Sequence, residues 1–149
     1  MNTTISDHKY ANIASQEAHK SKMTMHHGCI AVKCGKIIAR GHNNYRTYSN
    51  DGMIKGCSCH AEIDVLRKCL KLGIINKINL YIVRVSPLNT FSDSTPCKEC
   101  YTTMKTLFTI KYIVYTTTSG LIKKNFKDFI SIHDTSGTKA IVEKRVKVL

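Results

Sequence analysis

No stretch of this chain is apolar for long enough to cross a bilayer, which takes roughly 20 such residues in a helix. The opening residues, Met1-Asn2-Thr3-Thr4-Ile5-Ser6-Asp7, lack the charged and apolar segments of a secretory leader. The expectation is a soluble protein of the cytoplasm with no membrane partner. No repeat, low-complexity tract or break in composition divides the sequence, so residues 1–149 are read as a single domain. That length can bury a core without staples. The cysteine count is seven, an odd number. Without a leader, this favours reduced thiols and metal binding over a disulfide framework. Acidic residues are few, 10 against 23 lysines and arginines, for a formal charge of +13. Such an excess suits nucleotides, RNA or DNA as partners. Arginine, the better fork for phosphate, is itself scarce, with only Arg40, Arg46, Arg67, Arg84 and Arg145. A lysine-, asparagine- and isoleucine-rich composition also follows from AT-rich coding, so charge alone does not decide the partner.

Two short motifs stand out, Cys59-His60-Ala61-Glu62 and Pro96-Cys97-Lys98-Glu99-Cys100. Together they supply one imidazole, two thiolates and a further carboxylate. His60, Cys97 and Cys100 can bind zinc as three protein ligands and leave Glu62 free for proton transfer. A structural zinc normally takes a fourth protein ligand, whereas a catalytic one keeps a position for water. The competing reading is a closed site in which Cys57 or Cys59 supplies that fourth ligand, and such a site has no use for Glu62. His26, His27, His42, Cys57 and Cys59 show no spacing that ties them into a second, structural site.

The pattern of elements places both motifs at helix starts. A first helix is expected over residues 8–24, capped by Ser6 or Asp7, with Tyr10, Ile13, Ala14 and Ala18 on one side. Cys29–Lys33 and Lys36–Arg40 read as strands joined by a turn at Cys34-Gly35. Gly41 to Gly56 is polar and reads as a long loop. A helix begins near His60, with Ala61, Val65, Leu66, Cys69 and Leu70 on one face, and ends at Gly73. Ile78–Val85 reads as a strand covered on both faces. Ser86–Thr95 is a loop, and Pro96 opens a helix whose buried stripe is Cys100, Tyr101, Met104, Leu107 and Phe108. Lys111–Thr117 is a strand, and Leu121–Phe126 returns beside it after a turn at Thr118-Ser119-Gly120. Residues 127–149 form a tail in which Ile141, Val142, Val146 and Val148 dock. The order implies a mixed α/β sheet with helices on its faces.

Over Gly28 to Thr117 these residues resemble the cytidine and deoxycytidylate deaminase superfamily of zinc hydrolases. The signature His-x-Glu followed by Pro-Cys-x-x-Cys, as it stands in this chain, is a known mark of zinc deaminases. The run Ala31–Gly41, followed by His42-Asn43-Asn44, extends the likeness. The resemblance implies a three-layer α/β/α fold around a mixed sheet of about five strands, and a homo-oligomer. It implies that His60, Cys97 and Cys100 hold the zinc and that Glu62 shuttles protons. The amide of Ala61 would face the base, the carbonyl of Thr95 would accept from the departing amine, and Asn43 would contact the sugar, with Asn44 as the alternative register. The implied reaction is hydrolytic deamination of a cytosine nucleoside or nucleotide, cytidine or dCMP. Adenosine in tRNA and cytosine in polynucleotides are also substrates within the superfamily. His60 in the first motif resembles the nucleotide and polynucleotide branches, and the short turn at Thr118-Ser119-Gly120 resembles the free-nucleoside branch. Arg46 and Lys55 lie in the loop before the catalytic helix, within approach of a 5′-phosphate. Tyr45, Tyr48 and Phe91 lie in loops that would surround a base. Lys139–Lys147 is the nearest thing to a basic stripe. A zinc-stabilised binding protein without turnover is the reading from another class, and an intact Glu62 opposes it.

Overall fold

The computed structural model describes residues 1–131 other than Cys57. Its elements run α1 (Ile5–Ala18), β1 (His26–Lys33), β2 (Lys36–His42), α2 (Ala61–Lys71), β3 (Ile78–Val85), β4 (Phe91–Ser92), α3 (Lys98–Leu107), β5 (Ile110–Thr117) and β6 (Gly120–Asn125). A single 3₁₀ turn, Phe126–Asp128, follows. The strands form one sheet in the order β2-β1-β3-β5-β6, with β4 beside the end of β3. β1 pairs antiparallel with β2 and with β3, β3 pairs parallel with β5, and β6 returns antiparallel to β5. This is the expected mixed α/β sheet, with one more strand than the five anticipated. The addition is β4, two residues long, inside the segment expected to be loop. Among the described residues, no helix is long and apolar enough to span a membrane.

Helices cover both faces, giving three layers. Strand alternation assigns the faces. Ile30, Val32, Tyr81, Val83, Val85 and Val114 pack against Ala11, Ala14 and Ala18 of α1. Cys29, Ala31, Leu80, Ile82, Ile113 and Tyr115 point the other way, against Val65, Leu66 and Cys69 of α2 and Met104 of α3.

Local chemistry explains the boundaries. Cys34 and Gly35 both have positive φ, 51° and 75°, which is the backbone of a type I′ turn and matches the twist of a hairpin. Gly73, at φ 71°, ends α2. Its amide bonds to Leu70 O and that of Ile74 to Cys69 O, the paired closure that favours glycine at this position. The expected cap of the first helix is corrected. Thr4, not Ser6 or Asp7, caps it, and the helix runs Ile5–Ala18 rather than 8–24. The Thr4 hydroxyl accepts from the Asp7 amide at 3.1 Å while the Asp7 carboxylate accepts from the Thr4 amide at 2.8 Å. This reciprocal box satisfies two amides that a later start would orphan. Two stripe residues are corrected as well. Leu70 is 40% and Leu107 43% exposed, because each helix meets the sheet along a stripe too narrow to include them. Phe126, expected to end the returning strand, lies just past β6, and Phe129 falls in the expected tail; both are core residues. His133, Lys139–Lys147 and the apolar residues expected to dock from the tail lie outside the described residues.

Candidate metal centre

The sheet topology brings the two motifs together. β2 and β3 are both antiparallel to β1, so they run in the same direction and end at the same sheet edge. The chain leaves β2 toward α2 and β3 toward α3, and both helices begin at that edge. His60 is the N-cap of α2 and Cys97 the N-cap of α3, both with extended backbone. Cys100 lies in the first turn of α3. The donor atoms of His60, Cys97 and Cys100 all lie within 4.8 Å of one another. His60 Nδ1 is 3.2 Å from Cys100 Sγ and 3.6 Å from Cys97 Sγ. The Cys100 amide donates to Cys97 Sγ at 3.4 Å. Free amides and the helix dipole favour a thiolate at such a position.

The ionisation of these groups follows from their crowding. The hydrogen bond from Cys100, together with His60, brings the Cys97 thiol down to about 4 against the effect of burial. Cys100, which donates to Cys97 and is buried beside Glu62, is pushed well above its ordinary value. Burial alone would lower His60, but contact with Cys97 and the charges of Glu62, Cys97 and Glu99 lift it to about 9. Glu62, only 5% exposed, is raised by burial, opposed in part by His60. A buried set with more acidic groups than basic ones is what a divalent cation neutralises. One imidazole nitrogen and two sulfurs are zinc donors, and here they converge. His60, Cys97 and Cys100 therefore fit a zinc ion, with no fourth donor in their group among the described residues. Cys59 lies outside that group, and burial pushes its thiol to about 12. It joins Asn44 through a β-bridge, so its part is to tie the loop to the start of α2. Cys57 lies outside the described residues.

The remaining candidates are distributed around this centre. Ala61 is fully buried as the first residue of α2, where amides have no acceptor within the helix. Thr95 directs both its amide and its hydroxyl to Asp93 Oδ1, at 2.9 and 2.6 Å, which fixes the turn into Pro96. The Asn43 amide group brackets the start of β1. Its Nδ2 donates to Met25 O at 2.7 Å and its Oδ1 accepts from the His27 amide at 3.0 Å. These bonds use one of its two N–H donors and one of its acceptor lone pairs. Arg46 Nε donates to Tyr48 O at 2.8 Å, which engages one of the five donors of its guanidinium. Tyr45 and Tyr48 are mostly exposed, and Phe91 is partly so. Lys55, Lys98 and Glu99 line a cleft of about 530 Å³ that reaches His60 and Cys100 between the 51–60 loop and α3.

Sequence reasoning missed the groups that hold the cysteine loop. Ser94 Oγ donates to Ile82 O at 2.8 Å and accepts from the Thr116 amide at 2.8 Å. Thr116 Oγ1 donates to Ser92 O at 2.7 Å and accepts from the Arg84 amide at 3.1 Å. These buried hydroxyls fill the gap where β3 and β5 part, just before Pro96. From the other side, Ser131 Oγ donates to Pro96 O at 2.5 Å. A lone serine in a loop carries no sequence signal for such a role.

Comparison with known proteins places the centre in context. Residues 4–117 match the model of the cytidine and deoxycytidylate deaminase zinc-binding region. No curated protein sequence matches the chain. Among solved structures, the dCMP deaminase of cyanophage S-TIM5 in apo form is similar, with a TM-score of 0.57 and 21% identity over 78% of this chain and 86% of that one. The same phage enzyme in complex with dCMP and dUMP gives 0.55 and 23%, over 78% and 85%. Cytidine deaminase from Burkholderia pseudomallei gives 0.61 and 17%, over 85% and 95%. At these identities the structures establish the fold alone, and the family model covers most of the sequence. The matched residues include His60, Cys97 and Cys100, and this chain belongs to the cytidine and deoxycytidylate deaminase zinc-binding family.

Proposed function

We propose that the protein hydrolytically deaminates a cytosine nucleoside or nucleotide, cytidine or dCMP, releasing ammonia and the uracil form. The observation that carries this reading is the buried carboxyl of Glu62, two residues beyond His60 and beside three converging zinc donors. When bound, zinc lowers the pKa of a coordinated water to about 7 and so supplies a nucleophile at neutral pH. Glu62 would take one proton from the attacking water and deliver it to the ring nitrogen, then carry the water's second proton to the amine, which departs as ammonia. The burial of Glu62 beside the zinc donors places it to serve both halves of this task. The Ala61 amide at the start of α2 orients the base. The Thr95 carbonyl accepts from the amine, and the side-chain amide of Asn43 contacts a sugar hydroxyl. Burial of the centre excludes bulk water and strengthens each of these contacts.

The antiparallel return of β6 after Thr118-Ser119 supports a small nucleoside or nucleotide over a polynucleotide. So does the binding of dCMP and dUMP by the phage enzyme of the same fold. The test is to incubate zinc-loaded protein with cytidine, deoxycytidine, CMP and dCMP and to measure ammonia. Release from at least one is expected. Silence across the panel, from protein shown to hold zinc, rejects the proposal. Activity on tRNA or single-stranded DNA alone, falling steeply with salt, transfers it to the polynucleotide reading.

A further inference from the structure

The family match ends at Thr117, yet the chain beyond it returns to the cysteine motif and touches it at both ends. Ser131 donates to the carbonyl of Pro96, which immediately precedes Cys97. Phe126 and Phe129 pack on Tyr101, which immediately follows Cys100, each with ring centroids 5.7 Å from it. Tyr115 of β5 meets Phe129 edge-on, also at 5.7 Å. Phe126, Phe129 and Ser131 are 8%, 3% and 5% exposed, whereas Ile130 between them is 75% exposed. The alternation shows a segment seated by its inward side chains.

Pro96 is fully buried, so its carbonyl must find a donor inside the protein. That carbonyl belongs to the peptide plane that leads into Cys97. The plane's orientation sets the φ of Cys97, −71°, and with it the direction of Sγ. Ser94 and Thr116 hold the approach to this plane from upstream, but neither bonds to the Pro96 carbonyl. We propose that Ser131 is a positioning residue for the metal centre, acting through the Pro96 carbonyl to aim the Cys97 sulfur, so that the segment after β6 is a working part of the site. The inference rests on His60, Cys97 and Cys100 holding the metal, and not on which substrate is used.

The test uses the full chain. Zinc affinity is measured by competition with a chelator, cobalt(II) is substituted as a spectroscopic probe of the thiolates, and the thermal midpoint of the metal-free protein is recorded. Loss of a group that orients a ligand typically costs ten- to a hundredfold in metal affinity. Ser131→Ala should weaken zinc by about tenfold or more on that basis, and shift the cobalt–thiolate bands. Ser131→Thr should restore both, and Ser131→Cys, a weaker donor of the same shape, should fall between. Phe129→Leu, which loosens the segment but keeps the hydroxyl, should lower the thermal midpoint without shifting the bands. If Ser131→Ala matches wild type in affinity and spectrum, or Phe129→Leu shifts the bands as far, the specific role is lost. A wild-type chain that binds no zinc overturns it too. A chain that holds zinc, responds to Ser131→Ala as described and deaminates nothing sinks the proposed reaction while leaving this inference in place.

Discussion

The two faces of the sheet bury ionisable groups by opposite means. On the α1 face, Asp7 is matched. Its carboxylate accepts from Tyr81 Oη at 2.7 Å and from Lys123 Nζ at 3.0 Å, as well as from the Thr4 amide. One anion meets one cation, every bond has a partner, and alanines close the rest of the interface. On the opposite face, His60 sits among two thiols and a carboxyl that cannot all ionise together. The first arrangement is complete as it stands. The second is complete only with a dication, and that incompleteness is the mark of a site built for a ligand.

Breaking the metal face should have the largest effect. Cys97→Ala, or treatment of wild type with a strong chelator, should abolish bound zinc and turnover together, as elemental analysis and ammonia release would show. Zinc retained at wild-type stoichiometry in Cys97→Ala would remove Cys97 from the ligand set. Next in size is Glu62→Gln, which keeps the shape but not the proton transfer. It should hold zinc normally and lose about 10²–10⁴ in turnover, the usual worth of a positioned acid–base group. A variant that turns over like wild type would favour a zinc-stabilised binding protein instead.

The contrast between the faces also explains what could be read from the sequence. The metal motifs were legible because zinc restricts its donors to a few residue types, so His60, Cys97 and Cys100 declare themselves without any contact map. The β1–β2 hairpin was legible for a similar reason, since Cys34-Gly35 fits a turn that few dipeptides make. Convergence of the two helix starts depends on β2 and β3 running the same way, which the pairing of the sheet supplies. The α1 face was harder. Its helix buries alanine rather than large apolar residues, and Thr4-x-x-Asp7 uses aspartate where a capping box more often has glutamate or glutamine. β4 is too short to leave a pattern. Ser94 with Thr116 and Ser131 with Pro96 pair across 22 and 35 residues, and a hydroxyl's partner at that distance is set by the fold. Asn43, expected at the sugar, has half of its amide committed to the backbone around β1, a use that residue identity alone does not reveal.

Two smaller perturbations sharpen the comparison from the α1 side. Gly28 passes beneath α1 so closely that a Cβ would lie 2.0 Å from Ala14 O. Gly28→Ala should therefore lift the helix, costing about 3 kcal/mol by analogy with overpacked cores. Thermal unfolding would show it, and an unchanged midpoint would mean that α1 can shift at little expense.

Tyr81→Phe should cost less, about 1.5 kcal/mol for a hydrogen bond to a buried charge, and should leave zinc binding intact. Its diagnostic feature is pH dependence. Burial alone would raise the Asp7 carboxyl, but the Thr4 amide, Tyr81 hydroxyl and Lys123 ammonium together hold it below its ordinary 3.8. A lowered folded pKa contributes stability that is fully present above the unfolded value and is lost as pH falls through the folded one. Removing the Tyr81 hydroxyl brings the folded value back toward 3.8, so the variant has less of this contribution to lose. In metal-free protein, where acid release of zinc does not enter, the stability gap between wild type and Tyr81→Phe should be widest at neutral pH. It should narrow as the solution is taken below the ordinary carboxyl value. A gap that stays constant with pH would show that Tyr81 contributes by packing, and that the charge on Asp7 is held by Lys123 and the helix cap alone.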